Sequence, residues 1–361
     1  MSDSASGTLG DLLPPIYGAR MPSFFDQPAI NETRATCSDC AMCDKTNAPA
    51  SLETTAFRPD VKCCSYHPTL PNYLAGAILE DETMAEGRAR VRAKIGARIG
   101  VTPQWLAAPR KYLVLLDAAR ESSFGRSQSL LCPYYERTEG NCTIWKHREG
   151  VCTTFFCKHT GGATAHKFWT SLRRYLLHVE RALAIHVARS IDPELVEPTI
   201  PRNRLTPEDL EDRPPNDATY AAYWGAWLGR EEAFYVECAR RVRALGRDEL
   251  GRVVGDAGRE ILAEVRSRYE DTTKPKLAPR LLLNPDMLVT RGEGGVGVTT
   301  YSRYDSLFLT DALHEALGHF TGQSPVETVL EKLRTEHDVD LPTDLLLYLQ
   351  QFDVVREPPH E

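Results

Sequence analysis

The chain of 361 residues lacks long hydrophobic runs. Arg, Glu, Lys or Pro interrupts every apolar stretch before it reaches the roughly 20 residues of a membrane-spanning helix. The first residues also lack a basic segment, and no apolar segment of signal-peptide length precedes Pro14. We therefore expect a cytoplasmic protein without a membrane partner, in which cysteine thiols stay reduced.

An excess of charge of one sign is missing too. The 43 basic residues nearly balance the 50 acidic ones, and the formal net charge is −7. Such a chain has no overall attraction to nucleic acid or to anionic lipid. The basic residues from Arg88 to Arg98 alternate with apolar ones, which predicts a solvated helix face. No nucleic-acid partner is expected.

Familiar catalytic patterns are absent as well. No nucleophile with an adjacent base, no paired carboxylates and no methyl-donor loop stands out, so the sequence assigns no catalytic residue. The glycine-rich segment from Gly292 to Gly297 lies between two strand patterns. This position predicts the tip of a hairpin, since a nucleotide-binding loop joins a strand to a helix.

Cysteine, in contrast, is abundant in the first half of the chain. Nine of the ten cysteines fall in one region: Cys37, Cys40, Cys43, Cys63, Cys64, Cys132, Cys142, Cys152 and Cys157. In a reducing compartment this density favours metal thiolates over disulfides. The first three, spaced at i, i+3 and i+6, resemble the runs that hold iron–sulfur clusters. We predict a cysteine-ligated iron–sulfur cluster such as a 4Fe-4S centre, with zinc as the alternative metal.

The division of these thiols among metals stays open. Nine thiols suffice for two four-ligand sites with one left over, or for one cluster with several structural cysteines. Cys64 is the weakest candidate ligand, because two adjacent cysteines cannot bind the same metal without backbone strain. Cys238 stands alone in a helical pattern and is expected to be a small buried hydrophobic residue. Four histidines are either substitute ligands or ordinary hydrogen-bonding residues: His67, His147, His159 and His166.

Two arginines are candidate cofactor-binding residues. Arg126 lies in a loop of small residues just before Cys132, where backbone N–H groups and a guanidinium could bind a carboxylate or phosphate. Arg148 lies between two candidate ligands, where its charge can balance thiolates or donate hydrogen bonds to them. An ordinary loop is the alternative interpretation for Arg126.

The region around Arg148 carries a resemblance to a known family. Cys142, Trp145, Arg148, Cys152 and Cys157 recur at spacings that resemble the CxxCxxCC family of zinc- or iron-chelating proteins, and the likeness covers about a third of the chain. That family includes flagellin lysine N-methylase, a cluster-containing enzyme that uses S-adenosylmethionine. The resemblance therefore implies metal binding and, as an alternative, a cluster-dependent methyltransferase acting on a peptide or protein. A zinc-stapled adaptor without catalysis is the second alternative.

The C-terminal part has a different pattern. A hairpin signal precedes three short helices, which is the inventory of a winged helix. This order resembles the small winged-helix domains that recognise precursor peptides in ribosomally made natural-product pathways, and so implies a peptide or protein partner. A packing or dimerisation module is the alternative. DNA binding is disfavoured, because the predicted helices are acidic at Glu315, Glu327, Glu331, Asp338 and Asp344.

Together these patterns predict a mainly α fold with a loop-rich cysteine domain and a C-terminal α+β winged helix. Apolar residues at three- and four-residue steps predict a helix from Thr164 to Ile191. The expected divisions are a flexible arm (1–30), a cysteine-rich metal-binding domain with a closing helix (31–191), a linker with a helical pair (192–270) and a winged-helix module (276–358).

Overall fold

The computed structural model describes four stretches of the chain, residues 7–37, 39–43, 56–195 and 205–359. They form two compact units. Unit 1 comprises residues 1–29, 42–155 and 173–261, and unit 2 comprises residues 30–41, 156–172 and 262–361. The four sequence-based divisions stay a prediction. Residues 1–6 of the predicted arm, residues 44–55 of the cysteine-rich part and residues 196–204 of the predicted linker lie outside the described residues.

The fold is dominated by α-helices, with small antiparallel sheets. The helices are α1 (Asn72–Glu80), α2 (Ala85–Ala97), α3 (Arg110–Ser123), α4 (Gly150–Thr154), α5 (Gly162–Ile191), α6 (Pro207–Leu210), α7 (Asp217–Trp224), α8 (Glu231–Ala244), α9 (Arg247–Thr273), α10 (Asp311–Leu317), α11 (Val326–His337) and α12 (Thr343–Gln351). In the stretches that the structure describes, no helix combines the length and apolarity needed to cross a membrane.

Ten short strands accompany the helices. They are β1 (Leu70–Pro71), β2 (Trp105–Leu106), β3 (Tyr135–Glu136), β4 (Asn141–Cys142), β5 (Arg280–Leu283), β6 (Leu288–Gly292), β7 (Gly295–Thr299), β8 (Leu307–Thr310), β9 (Thr321–Pro325) and β10 (Val355–Arg356). In unit 1, β1 pairs with β2 and β3 pairs with β4. In unit 2 the strand orders are β10-β5-β9 and β6-β7-β8, and all pairs are antiparallel.

The centre of unit 1 is the contact between α1 and α8. Every residue of α1 from Asn72 to Leu79 is buried. Gly76 faces α8 so closely that a Cβ at this position would lie 1.9 Å from the carbonyl oxygen of Tyr235. Only glycine permits this backbone approach between two helices.

Residues 7–29, predicted as part of a flexible arm, are folded in unit 1. They form three 3₁₀ helices, Leu9–Leu12, Gly18–Arg20 and Ser23–Asp26. The Tyr17 and Phe25 side chains are almost completely buried. Helices of three or four residues are too short to show a 3.6-residue periodicity of apolar residues. The sequence of this segment, which is rich in proline and glycine, therefore did not predict any helix.

The long helix predicted from Thr164 to Ile191 is confirmed as α5, which begins two residues earlier. Its apolar stripe is buried, with Phe168 in unit 2 and Leu176 and Leu183 in unit 1. Burial of one continuous stripe explains why periodicity located this helix almost to the residue.

Unit 2 contains the predicted hairpin and three following helices. Strands β6 and β7 pair from Leu288 with Thr299 to Gly292 with Gly295, and Gly294 at the tip has a φ of +72°. Helices α10, α11 and α12 follow, and their apolar residues share one core with both sheets. Strand β9 runs directly into α11, which begins at Val326 after Pro325.

Candidate metal centre

Five of the predicted ligands come together in unit 1 from three separate segments. The first segment is the turn that carries Cys63 and Cys64, where Lys62 adopts a left-handed conformation with φ of +51°. The second begins at Cys132, whose amide donates a 2.7 Å hydrogen bond to the carbonyl oxygen of Cys64. This bond joins the two cysteine-bearing segments directly through their backbones.

The β3–β4 hairpin adds Cys142 to the same region. Tyr135 pairs with Cys142 in the ladder, and the amide of Tyr135 donates to the carbonyl oxygen of Cys132 at 3.1 Å. The Lys62 ammonium donates a 2.8 Å hydrogen bond to the carbonyl oxygen of Gly140 at the hairpin turn. The hairpin is therefore fixed to the turn that carries the first two cysteines.

Helix α4 supplies the fifth thiol, Cys152. Glu149 caps this short helix, and its carboxylate accepts hydrogen bonds from the amides of Val151 (2.5 Å) and Cys152 (3.1 Å). The Gly150 amide donates to Oε1 of Glu180 on α5, at 2.7 Å. Two buried carboxyl groups therefore satisfy the first amides of α4 and fix the position of Cys152.

Electrostatic coupling shows that these thiols are neighbours. Burial raises the pKa of Cys152 far above its ordinary value, and the nearby Glu149, Cys132 and Cys142 raise it further. Burial also raises the pKa of Cys132, to about 12. For Cys63, hydrogen bonding to the Cys64 thiol is the largest cause of a strongly raised pKa, followed by burial. Burial and neighbouring groups therefore favour the neutral thiol at Cys63, Cys132 and Cys152.

Arg148 carries positive charge into this group of thiols. Its guanidinium charge opposes the rise in the pKa of Cys63 and of Cys142, so it lies within electrostatic range of both. The guanidinium stacks 3.3 Å from the ring centroid of Trp145 and donates to the carbonyl oxygens of Trp145 (3.0 Å) and Cys152 (3.4 Å). This placement suits an arginine that balances thiolate charge.

Cys43 lies near the same group. It forms an isolated bridge with Phe57, and the Phe57 amide donates to the carbonyl oxygen of Met42 at 2.7 Å. Tyr135 has a pKa raised to about 12, mainly by burial, and charges on Cys64, Cys43 and Cys63 contribute to the rise. Cys43 is therefore a sixth candidate ligand in unit 1.

The donor set fits a soft metal by its chemistry, although its geometry is not preformed. Among the described residues, no group of three or more His, Cys, Asp or Glu side chains is placed to hold a metal ion. Polarisable sulfur donors select zinc or iron–sulfur clusters. Binding must displace a proton from each thiol and draw the loops together, as is usual for thiolate sites that are completed by their ion.

The sequence interpretation missed the buried carboxyl pair behind α4, Glu149 and Glu180. Glu180 is buried, and burial followed by the proximity of Glu149 raises its pKa strongly. Its Oε1 also accepts a 3.4 Å hydrogen bond from the Tyr17 hydroxyl, which lies 2.8 Å from the Tyr73 hydroxyl. The available signal was a carboxylate inside the apolar stripe of α5, between Val179 and Leu183.

Replacing Glu180 tests this support of α4. Glu180→Gln keeps the shape and the acceptor oxygen, so we expect a change in unfolding free energy below about 1 kcal/mol. Glu180→Leu leaves the Gly150 amide and the Tyr17 hydroxyl without their acceptor, and we expect a loss of about 2 to 4 kcal/mol. Urea unfolding of both variants measures the difference, and equal stabilities would contradict the assigned role.

The remaining predicted ligands, Cys37, Cys40 and Cys157, belong to unit 2. The sequence interpretation treated Cys37, Cys40 and Cys43 as one block, whereas Cys43 belongs to unit 1. Cys157 follows the residues of α4 and precedes α5. The structure therefore divides the nine clustered cysteines into six in unit 1 and three in unit 2.

Other residues singled out from the sequence also lie in unit 1. Arg126 is in the turn after α3, where its amide donates to the carbonyl oxygen of Ser123 at 3.0 Å, and its role in cofactor binding stays a prediction. Cys238 is fully buried in α8, as expected for a small hydrophobic residue. The buried ring of His67 donates from Nδ1 to the carbonyl oxygen of Pro68 (3.0 Å), and the ring of His147 contacts the Asp81 carboxylate (3.1 Å).

Comparison with family models, with characterised proteins and with solved structures gave no match to this chain. The arguments about function therefore rest on the residues and their arrangement.

Proposed function

We propose that the protein is a metal protein that holds a cysteine-ligated iron–sulfur cluster in unit 1. The observation that supports this most is the convergence of five thiols from three segments of the chain: Cys63, Cys64, Cys132, Cys142 and Cys152. Four of these thiols suffice for a cluster with four cysteine ligands, and the fifth is then a structural cysteine. A tetrahedral zinc ion also takes four ligands and is the alternative metal.

The residues around the thiols have defined tasks in this proposal. Arg148 balances the negative charge that the thiolates acquire, and its stacking on Trp145 fixes its direction. Glu149 and Glu180 hold the first amides of α4, which keeps Cys152 in position. A bound cluster would supply electron transfer or an iron site open to a ligand.

Serine substitutions test the proposal against a matched control. Protein purified without oxygen should contain iron and acid-labile sulfide and should show broad visible absorption. Cys142→Ser and Cys152→Ser each remove a donor, so we expect iron content to fall at least about tenfold. Cys238→Ser changes a buried cysteine in the core of α8 and should leave the iron content unchanged. Retention of iron by both ligand variants would contradict the proposal, and zinc in place of iron would favour the adaptor.

A second candidate function, peptide binding, is favoured by the surface of the β6-β7-β8 sheet in unit 2. Leu288 is 71% exposed and Phe308 is 60% exposed. Thr290 pairs with Gly297, which pairs with Phe308, so these residues share one face of the sheet with Leu288. Among the described strands, β6 pairs only with β7, and all its residues are exposed. An apolar face beside an open edge is the surface that an extended peptide binds. The winged-helix interpretation belongs with this proposal.

Selection from a displayed peptide library tests this surface. We expect enrichment of peptides with apolar residues that bind the full chain, and Leu288→Asp should weaken them at least about tenfold because it removes an apolar anchor. Leu210→Asp is the control, since Leu210 is also an exposed leucine and lies in unit 1. Peptides that bind both variants equally, or no enrichment, would count against this function.

A further inference from the structure

Unit 2 contains three of the clustered cysteines, and two of them, Cys37 and Cys40, lie in one loop. The amide of Ala41 donates to the carbonyl oxygen of Thr36 at 3.0 Å, and the Thr36 hydroxyl donates to the carbonyl oxygen of Asp39 at 2.7 Å. These bonds close the backbone around Cys37 and Cys40. Two cysteines separated by two residues in a tight turn can both bind one metal ion.

The segment that leads into this loop is fastened to the segment that follows Cys157. The buried carboxylate of Glu32 accepts hydrogen bonds from the Thr160 amide and, at 2.6 Å, from the Trp169 indole. Arg34 donates to the carbonyl oxygen of His159 at 3.0 Å. These contacts fasten Glu32 and Arg34, which precede the loop, to His159 and Thr160, which follow Cys157, within unit 2.

Asp305 forms a third contact between these two segments. Its side chain is fully buried and accepts two hydrogen bonds from the Arg34 guanidinium, at 2.9 and 2.6 Å. It also accepts from the amide of His159 at 3.3 Å and from the hydroxyl of Tyr301. One carboxylate therefore binds both the segment that leads to Cys37 and the segment that follows Cys157.

His159 has an unusual environment. Its side chain is buried, with 2% of the residue exposed, and its ring packs against Phe156, His166 and Tyr301. Within the part of the chain that the structure describes, its buried Nδ1 atom has no hydrogen-bond partner. A buried ring nitrogen without a hydrogen-bond partner is costly unless something binds it.

We propose that unit 2 holds a second metal centre, a zinc ion bound by the thiolates of Cys37, Cys40 and Cys157 and by Nδ1 of His159. Three sulfurs and one imidazole nitrogen form a common structural zinc set. Each thiol loses its proton to solvent as its zinc–sulfur bond forms, while the neutral imidazole binds without losing one. The inference goes beyond the proposed function and assigns the three cysteines of unit 2 to a centre of their own. Zinc would draw these donors together on binding, since no metal-holding group is preformed among the described residues.

The spacing of the donors favours His159 over its neighbour. Cys157 and His159 are two residues apart, so a single turn of chain can present both to one ion. His166 lies on α5, and its ring is 5.0 Å from the ring of His159 between centroids. The neighbour therefore offers a matched control with a ring of the same size in the same cluster.

Zinc content and zinc absorption spectroscopy on the full chain test the proposal. We expect one zinc ion per chain whose X-ray absorption fits three sulfurs at about 2.3 Å and one nitrogen at about 2.0 Å. Cys157→Ser and His159→Phe should weaken zinc binding at least about tenfold, because each removes a ligand. His166→Phe should keep the zinc. Circular dichroism on each variant establishes that the fold is intact.

Several results would overturn this assignment. Wild-type protein without zinc, a zinc site with four sulfurs and no nitrogen, or full zinc content in folded His159→Phe protein each contradicts it. Cys142→Ser and Cys152→Ser separate the two centres, since they should lower iron and leave zinc unchanged. Failure of the iron–sulfur proposal would appear as absent iron and sulfide beside an intact zinc site.

Discussion

Replacing Gly76 with alanine is expected to destabilise unit 1 by about 3 kcal/mol or more, because an added methyl group must push two helices apart. A Cβ at this position would lie 1.9 Å from the carbonyl oxygen of Tyr235 and 2.5 Å from its carbonyl carbon. These are backbone atoms of α8, which cannot rotate away as a flexible side chain can. Urea unfolding followed by circular dichroism measures the loss.

Gly96→Ala is the control for this prediction. Gly96 lies in α2, and a Cβ there would meet no atom within 4 Å. Alanine favours the helix over glycine by roughly 0.5 to 1 kcal/mol, so this variant should be slightly more stable than the wild type. If Gly76→Ala and Gly96→Ala had the same stability, the close contact of α1 with α8 would be wrong.

Asp305→Ala is expected to cost unit 2 about 3 kcal/mol, because it leaves a partly buried arginine without its counterion. The same carboxylate accepts hydrogen bonds from the amide of His159 and the hydroxyl of Tyr301, which would also lose their acceptor. Asp305→Asn keeps the volume and one acceptor oxygen, so we expect a smaller loss. Thermal and urea unfolding of the two variants give the order of stability.

An exposed ion pair in the same unit provides the comparison. Arg334 and Glu331 pair on α11, with 64% and 59% of their side chains exposed. Solvent screens such a pair, so Glu331→Ala should change stability by no more than about 0.5 kcal/mol. If Glu331→Ala lowered the unfolding free energy as much as Asp305→Ala, burial would not determine how strongly these ion pairs stabilise the unit.

Long periodic helices were the part of the fold that the sequence predicted best. Helix α5 follows from a stripe of apolar residues repeated over eight turns, and the β6–β7 hairpin follows from glycines between two strand patterns. Both signals are local, so neither depends on distant parts of the chain. The short 3₁₀ helices from Leu9 to Asp26 were missed because they carry no such period.

The candidate centre was predictable in its residue types but not in its grouping. Spacing along the chain joined Cys43 to Cys37 and Cys40, yet backbone contacts assign it to a different unit. The partners of Cys152, Glu149 and Glu180, are hydrogen-bonding groups whose importance depends on a fold that brings α4 to α5. Such long-range contacts leave no periodic trace in a single sequence, although a carboxylate within an apolar stripe is a usable warning.

Metal and sulfide analysis of protein purified without oxygen shows directly whether unit 1 holds a cluster. We expect iron with acid-labile sulfide in the wild type, both retained in Cys238→Ser and both lost in Cys152→Ser. Zinc as the sole metal would contradict a cysteine-ligated cluster in unit 1. Iron content that stays unchanged in both Cys142→Ser and Cys152→Ser would contradict it too.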